Sequence, residues 1–182
     1  MILARRYIIL CAASFFFADS GCKSAEQVGL EKNVRNHYGT SYERFEAWLN
    51  RAPIAERFDF PLCPPDGHKC YDAQAFGVAD HLGEDWGAAG NNKDLGKPIH
   101  AIADGVVVFA EDIGGGWGKV LRIVHRLREG ENPPHVESLY AHFTDMLPQQ
   151  GAIVRRGEKI GTLGTAGGLY EAHLHLELRS VL

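Results

Sequence analysis

The chain has 182 residues, of which 45% are hydrophobic and 23% are charged, and this is enough to bury the core of one globular domain. A net charge of −4, without any basic run longer than a short Lys/Arg pair, argues against a nucleic-acid partner. The 21 glycines fit many tight turns between short strands. The composition therefore predicts an ordered globular protein that does not bind nucleic acid.

The first 21 residues have the pattern of an export signal. Arg5 and Arg6 precede an apolar stretch, residues 7–18, which is too short to span a membrane as a stable helix. A small-residue cleavage site follows at residues 18–20. We therefore predict that residues 1–21 are a signal peptide and that the mature protein is exported to the periplasm or cell envelope.

Cys22 lies directly after this signal, in a segment that resembles a bacterial lipoprotein signal. Lipid on Cys22 would attach the protein to a membrane. Asp19, however, occupies a position that is usually aliphatic in such signals. Lipidation at Cys22 is therefore left open. The sequence also leaves the oligomeric state open.

Residues 22–58 are predicted to form a helical leader that packs against or tethers the domain. Apolar residues recur there at spacings close to three and four, and Pro53 ends the pattern. These residues are Val34, Tyr38, Tyr42, Phe45 and Trp48.

Cys63 and Cys70 enclose a turn-rich loop. In an exported protein, two cysteines this close in sequence favour a disulfide. The alternative is a zinc site with His68 as a third ligand, but a fourth ligand at structural-site spacing is missing. We therefore expect a disulfide in this loop.

Residues 59–182 are predicted to form an all-β domain, a compact antiparallel sheet rich in glycine. Short apolar stretches alternate there with turn residues. The predicted strands are residues 98–102, 105–110, 119–125, 136–142, 159–163 and 173–178.

The last predicted strand alternates polar and leucine residues, which places His173, His175, Glu177 and Arg179 on one face. Neighbours on a strand face are about 7 Å apart, so two imidazoles can address one small site. Alone, a His-x-His pair is more often an ordinary solvent-facing pair. The sequence His81-Leu82-Gly83-Glu84-Asp85 adds an imidazole and a carboxylate, and such a set of ligands favours a catalytic zinc site with an open position.

A further strand pattern, Tyr140-Ala141-His142, is predicted to place Tyr140 and His142 on one face. At this point the chain resembles the lysostaphin-type zinc peptidases, bacterial enzymes that cut the cross-bridges and stems of peptidoglycan. The resemblance covers residues 75–180 and rests on five spaced motifs, which are more specific together than any one of them. They lie at residues 81–85, 101–107, 140–142, 157–164 and 173–175.

The resemblance implies a metal site made of His81, Asp85 and His175, which would hold one Zn²⁺ per chain. It also implies that His142 and His173 are catalytic histidines that act as acid and base, in an order that the sequence leaves open. The implied function is that of a zinc endopeptidase with a peptidoglycan peptide as substrate. The scissile bond, either a cross-link from D-Ala to a diamino acid or a glycine bridge, is left open.

Two other classes of function are kept as alternatives. One is a non-catalytic relative that binds the cell wall or activates an amidase, and the other is a structural or carrier module with a similar fold. All five histidine and aspartate positions are present, which favours the enzyme. Lys119 departs from the family pattern, in which relatives often carry Asn, and residues 126–134 form a longer connection than is usual there.

Overall fold

The computed structural model describes residues 41–128, 130–131 and 134–181. The predicted signal peptide, Cys22 and the part of the leader before Ser41 lie outside the described residues. Within the described part of the chain, no helix is long and apolar enough to cross a membrane.

The described residues form one nine-stranded antiparallel sheet, which confirms the all-β prediction. The main path of the sheet is β1-β2-β9-β6-β5-β4-β7, and β8 pairs with both β3 and β6. The strands are β1 (Tyr71–Gln74), β2 (Glu84–Gly87), β3 (Pro98–His100), β4 (Gly105–Asp112), β5 (Lys119–Arg126), β6 (His135–Met146), β7 (Ile153–Val154), β8 (Lys159–Leu163) and β9 (Leu174–Ser180).

Six of these strands match the predicted ones, but β1, β2 and β7 were not predicted. Strand β1 is largely exposed and β7 has only two residues, so neither carries a clear hydrophobic pattern. Strand β2 reads Glu-Asp-Trp-Gly, and only its pairing with β1 and β9 makes it a strand. Such pairing is decided by tertiary contacts rather than by intrinsic propensity.

Helix α1 (Tyr42–Arg51) is the part of the predicted leader that is helical within the described residues. Its first turn is capped by the Ser41 side chain, which accepts a hydrogen bond from the Arg44 amide. The helix ends well before residue 58, because the residue preceding Pro53 is driven out of the helical region. The buried side chains of Phe45 and Trp48 pack against one end of the sheet, formed by Val106, Val108 and Val124.

The larger core lies on the opposite side of the central strands. It contains fully buried residues from six strands, namely Ile99, Val107, Leu121, Tyr140, Ile160 and Leu174. The predicted disulfide joins Cys63 to Cys70 just before β1, so the alternative zinc site with His68 is not formed. Phe60 in the preceding segment packs edge-on against Trp86 of β2, with ring centroids 4.5 Å apart. The segment before β1 is therefore fastened to the strand that carries Asp85.

Candidate metal centre

Three neighbouring strands, β2, β9 and β6, position the site. The register of β2 with β9 places Asp85 directly opposite His175. The register of β9 with β6 places Ala141, the residue before His142, on the other side of His175. His175 therefore lies at the centre of the site, with a carboxylate on one flank and a second histidine on the other.

His81, Asp85 and His175 bring three ligand atoms together. His175 Nδ1 is 3.0 Å from Asp85 Oδ1, and His81 Nε2 is 2.9 Å from His175 Nδ1 and 3.1 Å from Asp85 Oδ1. Zinc binds imidazole nitrogen and carboxylate oxygen at about 2.0 to 2.2 Å, so one ion can reach all three atoms of such a triangle. Two nitrogens and one oxygen are also a typical donor set for zinc. These residues fit the predicted metal.

The other ring nitrogen of His175 is held by Glu177. His175 Nε2 lies 3.0 Å from Glu177 Oε1, and Arg179 Nε donates a 2.6 Å hydrogen bond to Glu177 Oε2. This arrangement confirms the predicted common face for His175, Glu177 and Arg179, three of the four side chains assigned to it. It also directs Nδ1 of His175 toward His81 and Asp85. Burial lowers the pKa of His175, but hydrogen bonds to Asp85 and Glu177 outweigh burial and raise it to about 9.

His142 reaches the site through an irregularity in β6. The register of β5 with β6 shifts between Lys119 and Leu121, and His142 has a positive φ of 67°. A β-bulge of this kind redirects the side chains that follow it, and strained backbone is often found at functional sites. The backbone amide and Nδ1 of His142 both face the carbonyl oxygen of Trp117, at 3.1 and 3.2 Å.

This bulge overturns the predicted common face of Tyr140 and His142. Tyr140 is fully buried in the core, where its hydroxyl accepts a hydrogen bond from the Ile102 amide at 3.0 Å. Burial raises the pKa of Tyr140 to about 12. Tyr140 therefore supports the sheet, and of these two residues it is His142 that faces the candidate metal centre.

The protonation of His142 follows from its environment. Burial, assisted by the nearby His173, lowers the pKa of His142 to about 4, so its ring is neutral near pH 7. Because a carbonyl oxygen only accepts hydrogen bonds, the ring proton lies on Nδ1, where it is donated to Trp117. Nε2 of His142 consequently keeps its lone pair and can accept a proton.

His173 is anchored in a similar way just before β9. Its Nδ1 lies 2.7 Å from the carbonyl oxygen of Glu171, and its Nε2 lies 3.6 Å from Asp85 Oδ2. The ring centroids of His142 and His173 are 4.7 Å apart, and Tyr170 packs against both at 5.3 and 5.8 Å. Two histidines with fixed rings therefore stand side by side next to the candidate ligands.

The structure brings all five predicted site residues into one centre. His81, Asp85 and His175 form one candidate metal group, and Asp85, His142 and His173 form a second group that shares the carboxylate. Sequence reasoning missed Trp117, which anchors His142 and packs edge-on against His175 at 5.2 Å, and also Tyr170. Both lie in or beside glycine-rich segments that the sequence marked only as turns.

Other histidines lie outside this centre. His125 is fully buried, with Nδ1 2.9 Å from the carbonyl oxygen of Asp104 and Nε2 2.7 Å from Ser138 Oγ. Its surroundings are those of a core histidine whose two ring nitrogens both have hydrogen-bond partners.

The antiparallel sheet brings one carboxylate and four histidines together at one point, which is the arrangement expected of a metal-dependent protein. The sequence model of the family described as "Peptidase family M23" matches residues 80–181, and the chain belongs to this family. The match confirms the resemblance that the motifs predicted. The predicted domain start at residue 59 lies before the matched region and stays a prediction.

Curated relatives align with the same region. The DD-carboxypeptidase/endopeptidase Mpg of Neisseria meningitidis is 38% identical over 99 residues, which cover 54% of this chain and 20% of Mpg. The murein hydrolase activator NlpD of Escherichia coli is 36% identical over 103 residues, or 53% of this chain and 25% of NlpD. The lipoprotein NlpD of Yersinia enterocolitica is 37% identical over 84 residues, or 46% of this chain and 78% of that sequence. The chain thus matches only about a fifth of the length of Mpg.

Solved structures with a similar fold include the antimicrobial peptidase lysostaphin from Staphylococcus simulans. Its TM-score is 0.46 at 24% identity, covering 59% of this chain and 40% of lysostaphin. A zinc-containing peptidase from Vibrio cholerae has a TM-score of 0.47 at 24% identity, covering 68% of this chain and 37% of that chain.

Proposed function

We propose that the protein is an exported zinc endopeptidase that hydrolyses peptide bonds in peptidoglycan cross-links or stems. The observation that supports this proposal is the triangle of ligand atoms from His81, Asp85 and His175 beside the anchored rings of His142 and His173. Family membership and the names of Mpg and NlpD support peptidoglycan as the substrate class.

The three ligand residues would hold one zinc ion per chain. When bound, zinc supplies a Lewis acid for the scissile carbonyl and lowers the pKa of water toward about 7. Three protein ligands leave a coordination position open, which is typical of catalytic rather than structural zinc. Glu177 keeps the His175 ring oriented through Nε2, which leaves Nδ1 for the metal.

His142 and His173 would move protons beside the metal. Nε2 of neutral His142 can accept a proton from the attacking water, because Nδ1 already donates to Trp117. His173 also presents Nε2, and in its protonated form it can donate a proton to the leaving amine. We therefore assign the base to His142 and the acid to His173.

A second candidate function is that of a non-catalytic activator of another cell-wall enzyme, since the relative NlpD bears the name of a murein hydrolase activator. An activator does not need a set of metal ligands or two anchored histidines. The presence of all five residues in one cluster favours the enzyme.

The location proposed is the periplasm or cell envelope. The export pattern of residues 1–21 supports it, as does the similarity to the lipoprotein NlpD. Membrane attachment through a lipid on Cys22 belongs to the same proposal and would be detected by the mass of the mature amino terminus.

The decisive experiment measures metal content and the digestion of purified peptidoglycan sacculi for four variants. We expect Asp85→Ala and His175→Ala to lose most bound zinc and all activity, because each removes one of three ligands. We expect His142→Ala and His173→Ala to keep zinc and to lose about 10²- to 10⁴-fold in rate, because proton transfer is removed. Mass analysis of the released peptides would identify the scissile bond.

His68→Ala is the matched control, since His68 is exposed in the disulfide loop and contacts none of the five residues. It should keep both zinc and activity. A wild-type protein that binds no zinc and digests no sacculi would contradict the enzyme and favour the activator. Loss of zinc in His173→Ala, with zinc retained in His175→Ala, would reverse the roles along the strand.

A further inference from the structure

A cleft of about 540 Å³ lies between two loops and borders the part of β6 that follows His142. One wall is the loop between β4 and β5, and the other is the loop between β8 and β9. Glycines make up much of the lining, namely Gly114, Gly115, Gly118 and Gly167. Because glycine has no side chain, these positions leave room for a branched ligand.

Several residues that line the cleft are sequence neighbours of residues at the proposed metal centre. Two of its lining residues, Phe143 and Thr144, directly follow His142 in β6. Gly118 follows Trp117, whose carbonyl oxygen anchors His142. The cleft therefore borders both the strand and the loop that position His142.

Among the residues that the structure describes, Lys119 is the one cation in the lining of the cleft. It is half-buried at the start of β5, and its Nζ donates a 2.5 Å hydrogen bond to the carbonyl oxygen of Thr144. An ammonium group has three donors, and this bond uses one of them. Within the described residues, no carboxylate forms an ion pair with Lys119.

Asp112 also lines the cleft and faces Lys119 in the register of β4 with β5. Its Oδ1 accepts a 3.0 Å hydrogen bond from the Gly114 amide, so the carboxylate caps its own loop. The ammonium of Lys119 therefore keeps donors for a ligand that enters the cleft.

We infer that Lys119 is a specificity-determining residue that selects peptides carrying a free carboxylate next to the scissile bond. This inference rests on the proposed peptidase function and names its substrate class. A diamino acid whose amine lies in the scissile bond keeps its own carboxylate, whereas a glycine bridge offers no charged side group. The cleft thus fits a cross-link made through a diamino acid better than a glycine bridge.

The test uses the full zinc-loaded protein and two synthetic cross-linked peptides. The peptides are identical except that one carries a carboxamide in place of the carboxylate beside the scissile bond. We expect kcat/KM of the wild type to be about tenfold higher for the carboxylate peptide, as one charge-assisted hydrogen bond supplies. Lys119→Gln should abolish this preference and keep zinc, and Lys119→Arg should retain the preference.

Lys159→Gln is the matched control, because Lys159 is exposed on β8 and does not line the cleft. It should leave the preference unchanged. Equal turnover of both peptides by the wild type, or a preference that survives Lys119→Gln, would overturn the inference and leave the peptidase function standing.

Calorimetric binding of both peptides separates this inference from the proposed function. If neither peptide is hydrolysed, the peptidase proposal fails, and the binding preference then decides the role of Lys119. Tighter binding of the carboxylate peptide to the wild type, but not to Lys119→Gln, supports that role. Equal binding of the two peptides overturns it.

Discussion

Gly83 lies directly against the imidazole of His175. A Cβ at position 83 would be 2.8 Å from Cε1 and Nε2 of that ring and 2.6 Å from the carbonyl oxygen of Leu176. The carbonyl belongs to β9, whose residue Leu176 is paired with Glu84 of β2, so it cannot easily move away. Only glycine allows the segment between His81 and Asp85 to pass this close to His175.

The first prediction is that Gly83→Ala weakens zinc binding by about tenfold or more, since it must shift one of the three proposed ligands. Competition with a chromophoric chelator measures the affinity. Gly96→Ala is the control, because a Cβ there meets nothing within 4 Å although φ is +79°. It should lower stability through backbone strain without changing zinc affinity. Unchanged zinc affinity in Gly83→Ala would mean that the packing against His175 is not needed.

The second prediction concerns Glu177, which orients His175 through Nε2. Glu177→Ala should reduce zinc affinity by about 10- to 100-fold, as is typical when the partner of a metal-ligating histidine is removed. Glu177→Gln should fall between this variant and the wild type, because its amide oxygen still accepts a hydrogen bond but carries no charge.

Glu84→Gln is the control for Glu177. It also adjoins a proposed ligand in sequence, yet its carboxylate accepts from the Trp86 indole rather than from an imidazole. We expect its zinc affinity to match that of the wild type. If Glu84→Gln and Glu177→Gln weaken zinc binding equally, a general effect of negative charge explains the result better than orientation of His175.

The third prediction is that zinc binding releases a proton and strengthens as pH rises from 6 to 9. The pKa of His175 in the metal-free protein is raised to about 9 by Asp85 and Glu177, against the effect of burial. Below this pH the imidazole holds a proton that a metal must displace. Calorimetry in buffers of different ionisation enthalpy counts the released protons. Zinc affinity that is flat over this range would contradict the prediction.

The same pKa has a consequence for the stability of the metal-free protein. A histidine with a raised pKa in the folded state contributes stability below its unfolded pKa of about 6.5, and this contribution is lost as pH rises through about 9. Urea unfolding of the metal-free protein should therefore show a fall in stability between pH 6.5 and 9. His175→Phe should remove this pH-dependent fall in stability.

The fourth prediction concerns the disulfide between Cys63 and Cys70. Replacing both with Ser should lower the free energy of unfolding by about 2 kcal/mol, mainly because the unfolded chain gains conformational entropy without the cross-link. Zinc content should stay unchanged, because no proposed ligand lies within the loop. Thiol titration of the purified protein without reductant should find neither cysteine free. Loss of zinc in the double variant would show that the loop positions Asp85 through β1 and β2.

Much of the sheet could be predicted because its central strands are buried on one or both faces. Strands β4, β5 and β6 contain apolar runs between turns, and their burial follows directly from that pattern. The end of the helical pattern at Pro53 agrees with the end of α1 at Arg51, because the residue before a proline is driven out of the helical region. The predicted boundary of the leader at residue 58 has no such local signal, and residues 52–58 are not helical.

The sequence by itself determined the chemistry of the site. Four histidines and one aspartate supply the donor atoms needed for a metal and for proton transfer, and spaced sequence motifs identified all five as members of one site. They are His81, Asp85, His142, His173 and His175. Alternation along β9 was also sufficient to place His175 and Glu177 on one face, because a strand has a fixed period of two.

Only the tertiary structure decided how these groups face one another. The alternation rule placed His142 with Tyr140, but a bulge held by the Trp117 carbonyl turns His142 to the site while Tyr140 stays in the core. Cross-strand pairing, rather than any local signal, sets Asp85 opposite His175. The physical reason is that bulges and strand pairings depend on hydrogen bonds between segments far apart in the chain. The periodicity of one segment carries no information about those bonds.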